Sequence, residues 1–206
     1  MTERNSIYNE SQEKTLAFYK KRHPLVGGNN PALLVVDVQR YFFNCNSKAF
    51  IQDSSIILPK IQALIEFFRK NNLPVLFTRH VDIPKSPMHN WWGNLMEEND
   101  SLTELVINCE HVIKKSSYDA FYETKLEEKL RDFKVDQLYI CGVQTHLCIS
   151  SSVRSAFIRG FNPVVITDAV ASKYRQLHIA ALSTLAHGFA ILANSEEVKK
   201  CLSMSS

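Results

Sequence analysis

The chain has 206 residues, 45% of them apolar and 22% charged, as in an ordinary globular protein with a sizeable core. That excludes a disordered chain, a collagen or a disulfide mini-protein. The 24 basic and 21 acidic residues leave a net charge of +3, and the basic residues are scattered, so no nucleic-acid partner is expected.

The opening stretch, Met1 to Ser6, is polar and lacks the apolar centre of a secretory signal. Residues 1–30 read as an N-terminal arm to one domain spanning 1–206. In it Thr15, Leu16, Phe18 and Tyr19 keep helical spacing, and Lys20, Lys21 and Arg22 read as a solvated helix end. The turn-rich Gly27-Gly28-Asn29-Asn30-Pro31 ends the arm. Residues 32–36 form an aliphatic run that suits a strand buried on both faces. Runs like this are about five residues long, well short of the about 20 a membrane span needs, so no membrane partner is expected.

Helical spacing returns at Ile56, Ile57, Ile61, Leu64, Ile65 and Phe68, and Asn71 to Pro74 stops it. A second strand is predicted over 75–78. The connection over 80–100 is too long to be a plain link. With Trp91 and Trp92 it reads as a lid or pocket wall, or else as a subunit interface. Further strands are predicted over 111–114, 137–141, 163–167 and 189–192, and helices over 123–132, 145–159, 175–187 and 195–201. Strands alternating with helices imply right-handed crossovers. The expected fold is an α/β, three-layer α/β/α sandwich around a mostly parallel, six-stranded, Rossmann-like sheet.

Several chemistries have no support. There is no G-x-G-x-x-G after the first strand and no phosphate-binding G-x-x-x-x-G-K-[ST], so no nucleotide cofactor is expected. There is no G-x-S-x-G for a serine nucleophile. Cys45, Cys109, Cys141, Cys148 and Cys201 show no C-x-x-C and no zinc spacing, and free thiols in a reducing cytoplasm are expected. His80 and His89 would need distant help to hold a metal, and none is expected.

In such sheets chemistry gathers outside the carboxyl ends of the strands. Asp37 ends the first strand, Lys115 follows the third, and Cys148 lies in the first turn of the helix after the fourth. With Thr145 as N-cap, the free N–H groups and positive end of that helix favour a thiolate. The same N–H groups can hold an oxyanion. Read blandly, Cys148 fills the core beside Ile149, Val153, Ala156 and Phe157. Asp37 reads as a general base or a loop cap, and Lys115 as a cation between carboxylate and thiol or a surface lysine.

Three segments settle between these readings. Asp37-Val38-Gln39, followed by Phe42 and Phe43, is the first. Lys115-Ser116-Ser117-Tyr118-Asp119-Ala120-Phe121 is the second. Gly142-Val143-Gln144-Thr145-His146-Leu147-Cys148 is the third. Together with Thr167-Asp168-Ala169 and His178, they resemble the isochorismatase-like, or cysteine hydrolase, superfamily over about residues 31–198.

The resemblance implies a triad of Asp37, Lys115 and Cys148. It also implies a cis peptide between Val143 and Gln144, and an oxyanion hole from the N–H groups of Gln144 and Cys148. The implied reaction is hydrolysis of a small amide or carbamoyl compound through a thioester, by a homodimer or homotetramer. Nicotinamidases of that superfamily carry an Asp-x-His metal site after the second strand. Here the sequence reads Arg79-His80-Val81-Asp82, so neither nicotinamide nor zinc is expected. Phe43, Arg79, Trp91, Trp92 and Tyr118 are the candidate substrate contacts, suited to a small, partly flat molecule. Two alternatives stand beside this reading. One is an isochorismatase-type vinyl-ether hydrolase that uses Asp37 as acid and needs no thiol. The other is a catalytically silent binding protein.

Overall fold

The computed structural model describes residues 10–93 and 96–204. Residues 1–9 of the expected arm, and 94 and 95 of the long connection, lie outside them. Six strands form one sheet: β1 (Pro31–Val36), β2 (Val75–His80), β3 (Val112–Lys115), β4 (Gln137–Val143), β5 (Asn162–Ala171) and β6 (Ile191–Ala193). Their order is β3-β2-β1-β4-β5-β6. Every pairing is parallel, so the sheet is wholly parallel rather than mostly so.

The helices are α1 (Glu10–Arg22), α2 (Arg40–Phe43), α3 (Ser54–Lys70), α4 (Pro87–Trp92), α5 (Leu126–Asp132), α6 (Ser150–Ile158), α7 (Arg175–Gly188) and α8 (Ser195–Ser203). Alternate residues of β1 explain the layers. Leu33 and Val35 point into one core, with Ile61, Leu64 and Phe68 of α3 and Val198 and Leu202 of α8. Ala32, Leu34 and Val36 point into the other, with Leu126 and Leu130 of α5, Val153 of α6 and Leu182 of α7. A strand buried on both faces must be aliphatic throughout, as β1 is.

Helix α1 joins the second layer. Leu16 is buried in that core, Tyr19 Oη meets His187 Nδ1 at 3.0 Å, and Lys20 pairs with Glu197 at 3.0 Å. Part of the expected arm is therefore packed onto the domain.

Strand β5 runs past residue 167, where the sequence pattern breaks at Asp168. A register irregularity there resumes the pairing at Gly142 with Val170 and Val143 with Ala171. Asp168 accepts from Lys60 at 2.6 Å and from Ser195 N–H at 2.8 Å, tying α3 and α8 to the sheet. The connection over 80–100 carries α4, capped by Ser86 Oγ, which accepts from His89 N–H at 3.0 Å. Among the described residues no helix is long and apolar enough to cross a membrane.

Candidate active site

The strand order reverses between β1 and β4, and a crevice forms outside the carboxyl ends of the strands at such a point. Asp37 follows β1 with φ 51°, a left-handed backbone that Asp tolerates better than most residues. Its N–H donates to Thr78 Oγ1 at 3.1 Å, and Thr78 Oγ1 donates to its Oδ1 at 2.7 Å. Gln39 locks β1 to β2. Its side chain donates to the carbonyls of His80 at 2.9 Å and Thr103 at 2.8 Å and accepts from His80 N–H at 2.8 Å.

Lys115 closes β3. The loop after it is pinned to α6, because Ser152 Oγ accepts from Ala120 N–H at 2.9 Å and Ser155 donates to Asp119 at 2.7 Å. Lys115 Nζ donates to the Ser117 carbonyl at 2.8 Å and lies 2.8 Å from Asp37 Oδ2 and 3.4 Å from Cys148 Sγ. The meeting with Oδ2 is an ion pair between two wholly buried side chains.

Cys148 is delivered by the turn after β4. Gly142 has φ 113° and passes the β1 backbone so closely that a Cβ would lie 2.1 Å from the Val36 carbonyl oxygen. The peptide between Val143 and Gln144 is cis. Residues Thr145–Ile149 then form a π-turn that leads into α6. Gln144, not Thr145, is its N-cap; the Thr145 hydroxyl is taken up instead by His178 Nδ1 at 2.8 Å. The Gln144 carbonyl accepts from Leu147 and Ile149 N–H at 3.0 and 3.2 Å. The Cys148 N–H between them makes no bond to it.

Burial opposes the thiolate expected from the helix end. Burial pushes the Cys148 thiol up to about 12; the nearby Lys115 ammonium pulls it down, and the Asp37 carboxylate pushes it up again. For Asp37, burial works toward protonation, but Lys115, His80 and the Thr78 hydroxyl together hold the carboxyl below its usual range. Lys115 shows the mirror image. Burial opposes its charge, and Asp37 and Cys148 outweigh burial and hold it above its usual range. These directions favour a carboxylate, an ammonium and a neutral thiol.

Asp37 and Cys148 line a cavity of about 240 Å³, with Phe42, Trp92, Tyr118 and Gln144 among its walls. Of the candidate substrate contacts, Trp92 and Tyr118 are therefore there, joined by a bond from Trp92 Nε1 to Tyr118 Oη at 2.5 Å. The other three are not on the wall. Phe43 packs against the hydrophobic core, since the α2 turn aims Phe42 inward instead. Arg79 pairs with Glu98 at 3.5 Å and so holds the loop. Trp91, 79% exposed, faces away into an outer groove beside Ile83 and Tyr122.

Sequence reasoning missed Lys48, Tyr41, Met88, His146 and Lys173 on the wall. His80 also lines it, buried, with no hydrogen-bond partner for either ring nitrogen among the described residues. Burial, helped by Lys115, lowers its pKa to about 4 despite the nearby Asp37 and Asp82, so it is a neutral imidazole.

Asp82 is taken by His89 Nδ1 at 2.7 Å. Among the described residues no three His, Cys, Asp or Glu side chains converge to hold an ion.

The isochorismatase domain model matches residues 31–197. Nicotinamidase 3 of Arabidopsis thaliana is 32% identical over 196 residues, covering 89% of this chain and 93% of that protein. Among solved structures, a cysteine hydrolase from Pseudomonas syringae pv. phaseolicola superposes with a TM-score of 0.82 at 21% identity, covering 89% of this chain and 99% of that one. The N-carbamoylsarcosine amidase of Thermoplasma acidophilum superposes with a TM-score of 0.73 at 24% identity, covering 81% and 97%. At these identities the two structures bear on the fold alone.

Proposed function

The chain belongs to the isochorismatase family of hydrolases, and from that premise we propose that it cleaves the C–N bond of a small amide or carbamoyl compound through a thioester on Cys148. The observation that carries this reading is a carboxylate and a thiol on the wall of one cavity, both in contact with one buried ammonium behind it. The similarity to a nicotinamidase supports an amide as the substrate class.

The charge states set the order of steps. Asp37 takes the thiol proton as Sγ bonds to the carbonyl carbon. That transfer turns carboxylate and thiol into acid and thiolate, so the net charge of the buried site does not change. Lys115, 3.4 Å from the sulfur, stabilises the thiolate as it forms. The carbonyl π electrons move onto oxygen, and the N–H groups of Gln144 and Cys148 receive the oxyanion. The intermediate collapses, the C–N bond breaks, and protonated Asp37 gives its proton to the leaving nitrogen. Water then gives a proton to Asp37 and adds to the thioester. Loss of the thiolate from carbon, reprotonated by Asp37, restores the thiol.

A vinyl-ether hydrolase would need Asp37 protonated at rest, whereas Lys115 favours its ionised form. The test is ammonia release from a panel of small amides, ureas and carbamoyl compounds, with mass spectrometry of the Cys148 peptide. Turnover with a trapped acyl adduct on that peptide is expected. Turnover that survives Cys148→Ser would overturn the thioester.

A further inference from the structure

Charge on the cavity wall is lopsided. Asp37 is the one carboxylate among the described lining residues, and Lys115 neutralises it at 2.8 Å. Two more lysines, Lys48 and Lys173, line the same cavity. They come from remote parts of the chain and are tied together, Lys173 Nζ donating to the Lys48 carbonyl at 2.6 Å. Lys173 N–H also donates to Gln144 Oε1 at 3.1 Å. This places the Lys173 backbone beside the segment that carries the proposed oxyanion donors.

Neither ammonium has a carboxylate at ion-pair distance among the described residues. Elsewhere the protein supplies one: Lys20 has Glu197 at 3.0 Å, Lys60 has Asp168 at 2.6 Å and Lys114 has Glu98 at 2.9 Å. The tie runs from the Lys173 ammonium to the Lys48 backbone, so it neutralises neither charge, and each ammonium favours an anion nearby. The wall beside them is largely apolar, through Tyr41, Phe42, Met88 and Trp92. Both lysines are exposed, so their field acts at the mouth of the cavity, where it draws anions in and salt screens it.

We propose that the substrate is a small organic anion whose carboxylate lies against Lys48 and Lys173 while its scissile carbonyl reaches Cys148. The proposal rests on the reading of this cavity as the substrate site. It makes the two lysines residues that select the substrate, outside the bond-breaking steps.

Iodoacetate and iodoacetamide test it, because they are nearly the same size, alkylate the same sulfur with loss of iodide, and differ in charge. Their rate ratio at Cys148, read from its peptide by mass spectrometry, cancels the ionisation of the thiol. The ratio is compared with that of N-acetylcysteinamide in solution. At low salt the wild-type protein is expected to favour iodoacetate at least about fivefold more than the reference thiol does, and 0.5 M salt should erase most of that. The Lys48→Gln, Lys173→Gln double variant should fall to the reference ratio. The Lys48→Arg, Lys173→Arg variant should keep most of the preference, which separates lost charge from lost folding. A wild-type ratio equal to the reference, a ratio indifferent to the Gln pair, or a Cys148 that neither reagent reaches would overturn the proposal. Ammonia release is scored separately. A raised ratio without turnover of any amide would retire the hydrolytic reading and leave the anion preference standing.

Discussion

Asp37 and Lys115 face each other across 2.8 Å with both side chains wholly buried, and each holds the other's charge against the cost of burial. Such a pair is more telling when broken than when counted, because removing one partner strands the other in low dielectric. Lys115→Met is therefore expected to lower stability by about 3–5 kcal/mol, read as a urea midpoint at pH 7. Asp37→Asn keeps the shape and still strands an ammonium, so it too should destabilise. Lys115→Met, Asp37→Leu together should recover part of the loss. A double variant less stable than either single one would contradict the pairing.

The sulfur gives a sharper pH signature. With Cys148 pushed up to about 12 by burial, the thiolate fraction keeps growing far above the 8.5 of an ordinary thiol. The iodoacetamide rate at the Cys148 peptide should climb about tenfold per pH unit from pH 7 to 10, without the plateau a free thiol shows. A plateau below pH 8 would mean that the resting site holds a thiolate, and that Asp37 need not accept its proton.

Two buried histidines are expected to weaken the fold toward acid pH. His80 and His178 are both buried, and burial lowers each to about 4. The folded state binds these protons less readily than the unfolded chain, so the stability they protect is full above about pH 6.5 and is lost as pH falls toward 4. The loss should reach on the order of 2 kcal/mol per histidine by pH 5. The Asp37 pair adds no slope in this window. The stability it contributes is lost only as pH falls below about 3.8 toward the lower folded value of the carboxyl. Lys115, raised, gives way only above its ordinary value. Urea midpoints at pH 7.5, 6 and 5 check this. A flat profile would rule it out, and His178→Gln should remove part of the slope.

The order of layers was legible because a strand buried on both faces has to be aliphatic, and residues 32–36 and 163–166 are. Asp37, Lys115 and Cys148 were legible as polar residues at strand ends within recognisable segments. What escaped depended on direction and distance. One step around the short α2 turn separates Phe42, buried on the cavity wall, from Phe43, half-buried off it, and one step in α4 separates Trp92 on the wall from Trp91 in the outer groove. Lys48 and Lys173 lie in loops with no motif, and only folding brings them together. The burial that opposes a Cys148 thiolate competes with the helix end and leaves no mark on the local sequence.

Gly142 carries a prediction that isolates geometry from chemistry. It bears no reactive group, yet the turn that carries Cys148 begins there. With φ 113° it sits in a backbone region that side chains other than glycine's avoid. A methyl group would also meet the Val36 carbonyl oxygen at 2.1 Å, a clash with backbone that no rotamer relieves. Gly142→Ala must push β4 away from β1 just where Asp37 leaves one strand and Cys148 departs from the other. The expected cost is about 3 kcal/mol or more, seen as a lowered Tm. In whatever fraction stays folded, activity should fall at least about tenfold, since displacement by even 1 Å is costly to an aligned site. Gly160→Ala is the control. Its φ is 83°, but nothing lies within 4 Å of the added carbon, so it should cost stability through strain alone and leave kcat per folded molecule untouched. If Gly142→Ala behaved like Gly160→Ala in both measurements, the close approach of β1 and β4 would not be what positions the thiol beside the carboxylate.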